Sequence, residues 1–97
     1  MPKASLAIQV MPLQSDEPLE AVNAAIAAIK ESGVVHEVGP METALEGDDL
    51  DQLVEVAVAA HRAALATSGA VQSNIRLLES QAGVMTMGEK TAPFRSA

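Results

Sequence analysis

Two periodicities divide the first third of the chain into a strand and a helix. The first apolar side chains alternate with small or polar ones, the period of two that is typical of a β-strand with one apolar face. They are Leu6, Ile8 and Val10, and Pro12 ends the run. Residues 15–32 place apolar side chains every three or four positions, which predicts an amphipathic helix that Gly33 ends. These side chains are Leu19, Val22, Ile26 and Ile29.

The following residues predict two more strands, a second helix and a last strand. Val34–Val38 indicates a strand, and Gly39-Pro40 is a connection short enough for a hairpin with a strand that carries Thr43 and Leu45 on one face. Acidic residues then favour the start of a helix at Asp49, which we expect to reach Thr67. Its predicted buried stripe is Leu50, Leu53, Val54, Ala57, His61 and Leu65. Alternation over residues 70–78 predicts the fourth strand.

This order of elements predicts an α+β protein with the ferredoxin-like βαββαβ fold. Right-handed crossovers would place both helices on one face of a four-stranded antiparallel sheet. We expect one domain over residues 1–97, with its core in residues 4–79 and a C-terminal extension, 80–97, that forms a short helix or an arm. The sheet face without helices would carry Ala7, Gln9, Met11, Glu37, Ala44, Gln72, Asn74 and Arg76.

Composition narrows the possible partners. The chain has 97 residues, no cysteine and a net charge of −7, so disulfides are excluded, and a structural zinc site and nucleic-acid binding are disfavoured. An acidic protein can instead attract a cationic ligand. The chain has no Trp or Tyr and a single Phe, so few side chains can stack on a ligand ring. Without a signal sequence or a long apolar run, we expect a cytoplasmic protein that does not bind membranes.

The most distinctive stretch lies between the second strand and the second helix. It reads Gly39-Pro40-Met41-Glu42-Thr43-Ala44-Leu45-Glu46-Gly47. Together with Met11-Pro12-Leu13 and Ala59-Ala60-His61, this stretch resembles the thiamine-binding protein family, short ferredoxin-like domains that bind thiamine or its hydroxymethylpyrimidine moiety. The resemblance covers roughly residues 4–92. It implies a non-catalytic small-molecule binding protein that needs no cofactor.

Five polar residues are the candidate ligand contacts: Gln9, Thr43, Glu46, Ser73 and Asn74. Thr43 falls on the helix-covered face, where its hydroxyl either bonds to nearby backbone or contacts a ligand. Glu46 ends a strand; its carboxylate fits the amino group and ring nitrogens of an aminopyrimidine, although an exposed acid near a helix N-terminus is the plain alternative. Gln9 and Asn74 are amides on adjacent strands, suited to a ligand edge, to solvent or to an interface.

The role of Ser73 depends on where the pocket lies, and the histidines are weighed as structural residues or metal ligands. Ser73 would join Thr43 if the pocket lies between sheet and helices, whereas an oligomer interface is the other location. His61 and His36 each fit a structural role better than a metal site, because no other His or Cys stands at ligand spacing.

Three classes of function are compatible with this sequence, and binding of thiamine or hydroxymethylpyrimidine leads. The alternative is a structural or regulatory homo-oligomer without a small-molecule ligand. Catalysis is disfavoured because the sequence shows no Ser/His/Asp order, metal motif or nucleophile elbow. Glu46 and His61 would be the only acid/base pair worth testing. In either leading case a homodimer or homotetramer is expected, since the sheet face without helices is partly apolar.

Overall fold

The strands differ in length, and this difference shapes the candidate site. In a computed structural model that describes residues 1–95, they form one antiparallel sheet in the order β2-β3-β1-β4. The strands are β1 (Ala4–Pro12), β2 (Val35–Val38), β3 (Thr43–Gly47) and β4 (Val71–Glu79). β1 pairs with β4 along its whole length, from Ala4 opposite Glu79 to Pro12 opposite Val71. It pairs with β3 only as far as Ile8 opposite Thr43.

Three helices complete the chain and confirm the ferredoxin-like fold with a C-terminal helix. They are α1 (Pro18–Ser32), α2 (Leu50–Ser68) and α3 (Met87–Arg95). The α1 helix begins at Pro18 rather than at Ser15, because the Ser15 hydroxyl accepts from the Glu17 N–H at 3.1 Å in a turn outside the helix. Pro18 then occupies the first turn, where its missing N–H costs no hydrogen bond.

Capping residues confirm the predicted C-terminal ends of α1 and α2 and the predicted start of α2. Asp49 precedes α2 and its carboxylate accepts from the Asp51 N–H at 3.0 Å. Gly33 and Gly69 follow the two helices with φ of 78° and 83°, a left-handed conformation that glycine adopts without strain. The segments between elements are therefore short and defined.

The core lies between the sheet and the first two helices. Leu6, Ile8 and Leu45 are almost fully buried on the sheet, and Ile29 and Leu53 meet them from α1 and α2. Alanines also fill the helical part of the core, which allows close approach of the helices. These alanines are Ala21, Ala25, Ala57, Ala60 and Ala64.

The predicted helix faces were partly wrong. On α2 the predicted Leu53 and Ala57 are buried, but the stripe continues through Val56, Ala60 and Ala64, and Leu65 is 40% exposed. The apolar periodicity favoured the larger side chain, whereas the contact between α1 and α2 selects the small ones. On α1, Leu19 is 72% exposed. Ile26 is only half-buried because it faces a cavity.

The C-terminal extension folds back onto the opposite side of the sheet from α1 and α2. Val84 is buried and its N–H donates to the Pro2 carbonyl at 2.7 Å, which fixes the segment before α3. Ser96 and Ala97 of the predicted extension lie outside the described residues. No helix in residues 1–95 combines the length and apolar character needed to cross a membrane.

Candidate ligand-binding site

A cavity opens where the pairing of β1 with β3 stops. Beyond Ile8, β1 continues for four residues that have no β3 partner on that side, because β3 begins only at Thr43. The hairpin turn between β2 and β3 and one side of α1 surround this gap. The cavity has a volume of about 390 Å³. Cavities of this size are typical of small-molecule sites in proteins.

Apolar side chains form most of the cavity wall. The α1 helix contributes them at helical spacing, and they are Leu19, Val22, Ala25, Ile26 and Ile29. Ile8 and Val10 of β1 and Val38 of β2 supply the sheet side. Among the lining residues, Met41 in the hairpin turn is 75% exposed and Leu19 in the first turn of α1 is 72% exposed. Two large apolar side chains therefore remain in water at the cavity rather than in the core.

Thr43 is the buried polar residue of the cavity wall. It is 7% exposed, and its hydroxyl makes no hydrogen bond to another group within residues 1–95. The same residues contain no fully enclosed side-chain N or O atom without a partner, so this hydroxyl still reaches solvent. A hydroxyl that is nearly buried but unbonded is available to a ligand. Of the two roles predicted for Thr43, the bond to nearby backbone is absent.

Gln9 belongs to the β1 wall, but its side chain is used elsewhere. Its Oε1 accepts from Asn74 Nδ2 at 3.1 Å, and the two residues face each other across β1 and β4. Because side chains alternate along a strand, this amide pair lies on the sheet face opposite Ile8 and Thr43. We call that surface the open face, since neither α1 nor α2 covers it.

Ser73 and His61 form a separate contact on the helix-covered side. His61 Nδ1 and Ser73 Oγ share a hydrogen bond of 2.6 Å that joins α2 to β4. Neither residue lines the cavity, because the whole of β1 separates β4 from β3. His61 thus has a satisfied ring nitrogen, the structural role predicted for it. His36 is satisfied too, because its Nδ1 donates to the Val34 carbonyl at 2.9 Å.

Glu46 lies on the open face and contacts α3. Its Oε2 accepts from the Met87 N–H at 2.8 Å, at the first residue of that helix. Thr86 and Glu89 close the same turn reciprocally: the Glu89 carboxylate accepts from the Thr86 N–H at 3.1 Å and the Thr86 hydroxyl accepts from the Glu89 N–H at 3.0 Å. At the other end of α3, Arg95 pairs with Glu37 of β2. The helix therefore spans the β3 and β2 side of the open face.

The structure brings only some of the predicted contacts together. Gln9 and Asn74 meet each other, and Thr43 lines the cavity with Gln9. Glu46 is on the opposite face from Thr43, and Ser73 is two strands away from it. The five residues therefore do not surround a single volume.

The hairpin turn and α1 were missed as cavity walls, although the sequence contained a signal. The alternation that predicts β1 is several residues longer than the strand after Met41, so a gap beside the end of β1 follows from antiparallel pairing. The apolar stripe of α1 was assigned to the core because periodicity alone does not show what it faces. Glu42, the one ionisable residue among those that line the cavity, was also missed.

No group of three or more His, Cys, Asp or Glu residues in the described part of the chain could hold a metal ion. The residues that line the cavity offer a ligand one hydroxyl, one carboxylate, backbone groups and apolar walls.

Comparison with known proteins identifies the family. The sequence model of the family described as thiamine-binding protein matches residues 6–95. The chain belongs to the thiamine-binding protein family. The predicted resemblance is therefore confirmed, over nearly the range on which it was based.

Relatives of known sequence or structure resemble the chain over nearly its whole length. A UPF0045 protein of Clostridium perfringens is 31% identical over 96 residues, which are 98% of this chain and 100% of that protein. A domain of unknown function from Bacillus cereus is 30% identical with a TM-score of 0.84, and the match covers 97% of this chain and 91% of the other. A putative thiamine biosynthesis/salvage protein of Thermotoga maritima is 25% identical with a TM-score of 0.81, covering 97% and 100%.

Proposed function

We propose that this protein binds thiamine or its hydroxymethylpyrimidine moiety, without catalysing a reaction, in the cavity between α1 and the β2–β3 hairpin. Membership of the thiamine-binding protein family supports the class of ligand. The description of the Thermotoga neighbour as a putative thiamine biosynthesis/salvage protein points to the same chemistry.

One observation carries the location of the site. The cavity of about 390 Å³ is walled mainly by apolar side chains, and Thr43 presents within that wall a hydroxyl with no protein partner in residues 1–95. Specific small-molecule sites combine such walls with few polar groups that fix orientation. An aminopyrimidine ring offers both an apolar face and hydrogen-bonding edges. The free edge of β1 beyond Ile8 lies beside Thr43 and adds backbone groups.

Calorimetric titration with thiamine, hydroxymethylpyrimidine and the thiazole alcohol tests the proposal. We expect the first two to bind and the thiazole alcohol, which lacks the pyrimidine, to bind more weakly. Thr43→Val keeps the branched shape and removes the hydroxyl, so the affinity for hydroxymethylpyrimidine should fall about 2- to 13-fold, the equivalent of about 0.5–1.5 kcal/mol. Thr67→Val on exposed α2 surface removes a hydroxyl away from the cavity and serves as the matched control.

The outcomes separate a wrong ligand from a wrong site. If none of the three compounds binds to the folded protein, the ligand class is wrong. If hydroxymethylpyrimidine binds and both threonine variants keep the wild-type affinity, the ligand class stands and the cavity is not its site. In that case the amide pair of Gln9 and Asn74 on the open face is the next candidate.

A homodimer or a tetramer built from dimers remains our proposal for the assembly, and the cytoplasm for the location. Exposed apolar side chains outside the cavity support an assembly: Val35 and Leu78 on the open face are 59% and 49% exposed, and Leu77 on the edge strand β4 is 53% exposed. Light scattering at micromolar concentration tests the proposal, and a stable monomer contradicts it. The alternative function as a structural or regulatory oligomer is favoured if the protein assembles but binds none of the compounds.

A further inference from the structure

The cavity carries a single ionisable group. Of the residues that line it, only Glu42 has a side chain that ionises, and the rest are apolar, amide, hydroxyl or glycine residues. The chain lacks Trp and Tyr altogether, and its one Phe is not in the lining. A positively charged ring in this cavity therefore finds no aromatic face and has one carboxylate within the wall residues.

Glu42 already has a cationic partner on the open face, so its carboxylate lies at the edge of the cavity nearest that face rather than among the apolar walls. Arg76 of β4 forms an ion pair with the Glu42 carboxylate in the hairpin turn, although β1 lies between β4 and β3. Arg76 is opposite Ala7, and Ala7 is in turn opposite Ala44. Because alanine side chains are short, the long Arg76 side chain can pass over Ala7 and Ala44 on the open face and reach the hairpin turn.

The ion pair is weak enough to be exchanged. The Arg76 side chain is 71% exposed and that of Glu42 is 35% exposed. Ion pairs in such settings contribute little, because water screens both charges and ordering a long side chain has an entropic cost. By contrast, a cation held against an apolar cavity wall is partly removed from water and interacts more strongly with the same carboxylate.

We propose that Glu42 is the residue that recognises positive charge on the ligand, and that Arg76 is its resting counter-ion, displaced when a cationic ligand binds. This inference rests on the proposed function and makes it more specific. The preferred ligand class is an organic ring cation attached to a hydrogen-bonding ring, as in thiamine with its thiazolium. The uncharged hydroxymethylpyrimidine fills the same cavity without using Glu42.

In a variant without Arg76, a rise or a fall in thiamine affinity distinguishes a resting counter-ion from a structural contact. In Arg76→Gln, Glu42 has no counter-ion to release, so the affinity for thiamine should rise about two- to fivefold while that for hydroxymethylpyrimidine stays within twofold. If Arg76 instead serves only to hold the hairpin turn in place, the same variant should bind both compounds more weakly. Arg62→Gln, an exposed arginine on α2, makes the same change in net charge and is the control.

Removing the carboxylate should have the opposite effect on thiamine. Glu42→Gln is expected to lower its affinity about three- to tenfold and to leave hydroxymethylpyrimidine within twofold. Thiamine affinity should also fall with added salt in the wild type and become nearly insensitive to salt in this variant. Glu55→Gln, on exposed α2 surface, controls for the loss of one negative charge.

Different results would contradict the proposed ligand binding and the proposed role of Glu42. If wild-type protein binds neither compound, the proposed function fails and the role of Glu42 with it. If both compounds bind and Glu42→Gln weakens them equally, or changes neither, the cavity function stands and the charge-recognition role is overturned. Equal weakening of both compounds by Arg76→Gln also overturns it, in favour of a clamp on the hairpin.

Discussion

On the helix-covered face of the sheet, Leu6, Ile8 and Leu45 are almost completely buried beneath α1 and α2. On the open face, by contrast, the contacts are an amide pair, two ion pairs and the hydrogen bond of Glu46 to α3. Apolar burial is the main stabilising term in folding, whereas exposed polar contacts add little net free energy. The fold is therefore stabilised from one face, and the contacts of the other can be exchanged without unfolding the domain.

The largest test of this contrast compares one leucine on each face. Leu53 is fully buried, so Leu53→Ala should lower the free energy of unfolding by about 2–5 kcal/mol through lost burial and a residual void. Leu78 on the open face is 49% exposed, and Leu78→Ala should cost less than about 1 kcal/mol. Denaturant titration measures both. Similar losses would show that something covers the open face, and a second copy of the chain would then be the first occupant to test.

A smaller difference is expected between the coupling free energies of two side-chain hydrogen bonds, one on each face of the sheet. His61 and Ser73 share a short, half-buried hydrogen bond, whereas the amide pair of Gln9 and Asn74 is exposed. A double-mutant cycle with His61→Ala and Ser73→Ala should give a coupling of about 0.5–1.5 kcal/mol. The cycle with Gln9→Ala and Asn74→Ala should give less than about 0.5 kcal/mol, since water replaces an exposed bond readily. A larger coupling on the open face would contradict the contrast.

The hydrogen bond between Glu46 and the Met87 N–H should stabilise the start of α3 without changing the stability of the whole domain. Glu46→Gln replaces a charged acceptor of the Met87 N–H by a neutral one, so the start of α3 should open more easily by about 0.5–1.5 kcal/mol while the unfolding midpoint changes little. Hydrogen exchange of the amides of residues 87–91 measures this opening. Glu55→Gln, exposed on α2, is the control for charge. A tenfold or greater loss of hydroxymethylpyrimidine affinity in Glu46→Gln would instead place Glu46 in the ligand site.

Residue patterns predicted the fold well because they report local geometry. Alternation identified the apolar face of β1, and Gly33, Asp49 and Gly69 marked helix ends through their backbone conformations and caps. The same alternation already implied that Thr43 and Glu46 face opposite sides of β3. Assigning both to one ligand followed the family resemblance rather than this geometry.

Local patterns indicated a gap beside the end of β1, but they did not predict the walls of the cavity or the position of α3. The cavity depends on where β3 begins relative to the end of β1, a relation between segments far apart in the chain. The ion pair of Arg76 with Glu42 likewise joins β4 to a hairpin turn across an intervening strand. α3 buries no residue. Its sequence therefore has no apolar stripe from which its position on the open face could be predicted.

The smallest expected effect is the response of α3 to acid. The pKa of Glu89 is lowered from its ordinary value of 4.5, first by the hydrogen bond from the Thr86 backbone and then by its contact with the Thr86 side chain. A carboxyl whose pKa is lower in the folded state stabilises that state above the ordinary pKa, and the contribution is lost as the pH falls through the folded value. The first turn of α3 should therefore loosen below the ordinary range of glutamate, while α1 and α2 keep their structure.

NMR titration of the Thr86 and Glu89 amides from about pH 7 to about pH 3 measures this response. Because Glu46 also accepts a hydrogen bond at this turn, the double variant Glu46→Gln/Glu89→Gln is the reference that removes both carboxylates. Glu89→Gln alone should abolish the pH-dependent change at the Thr86 amide, its direct partner. If the Thr86 amide still responds to pH in Glu89→Gln, the reciprocal cap is not what couples α3 to acid. Glu46 alone would then connect the open face to the C-terminal helix.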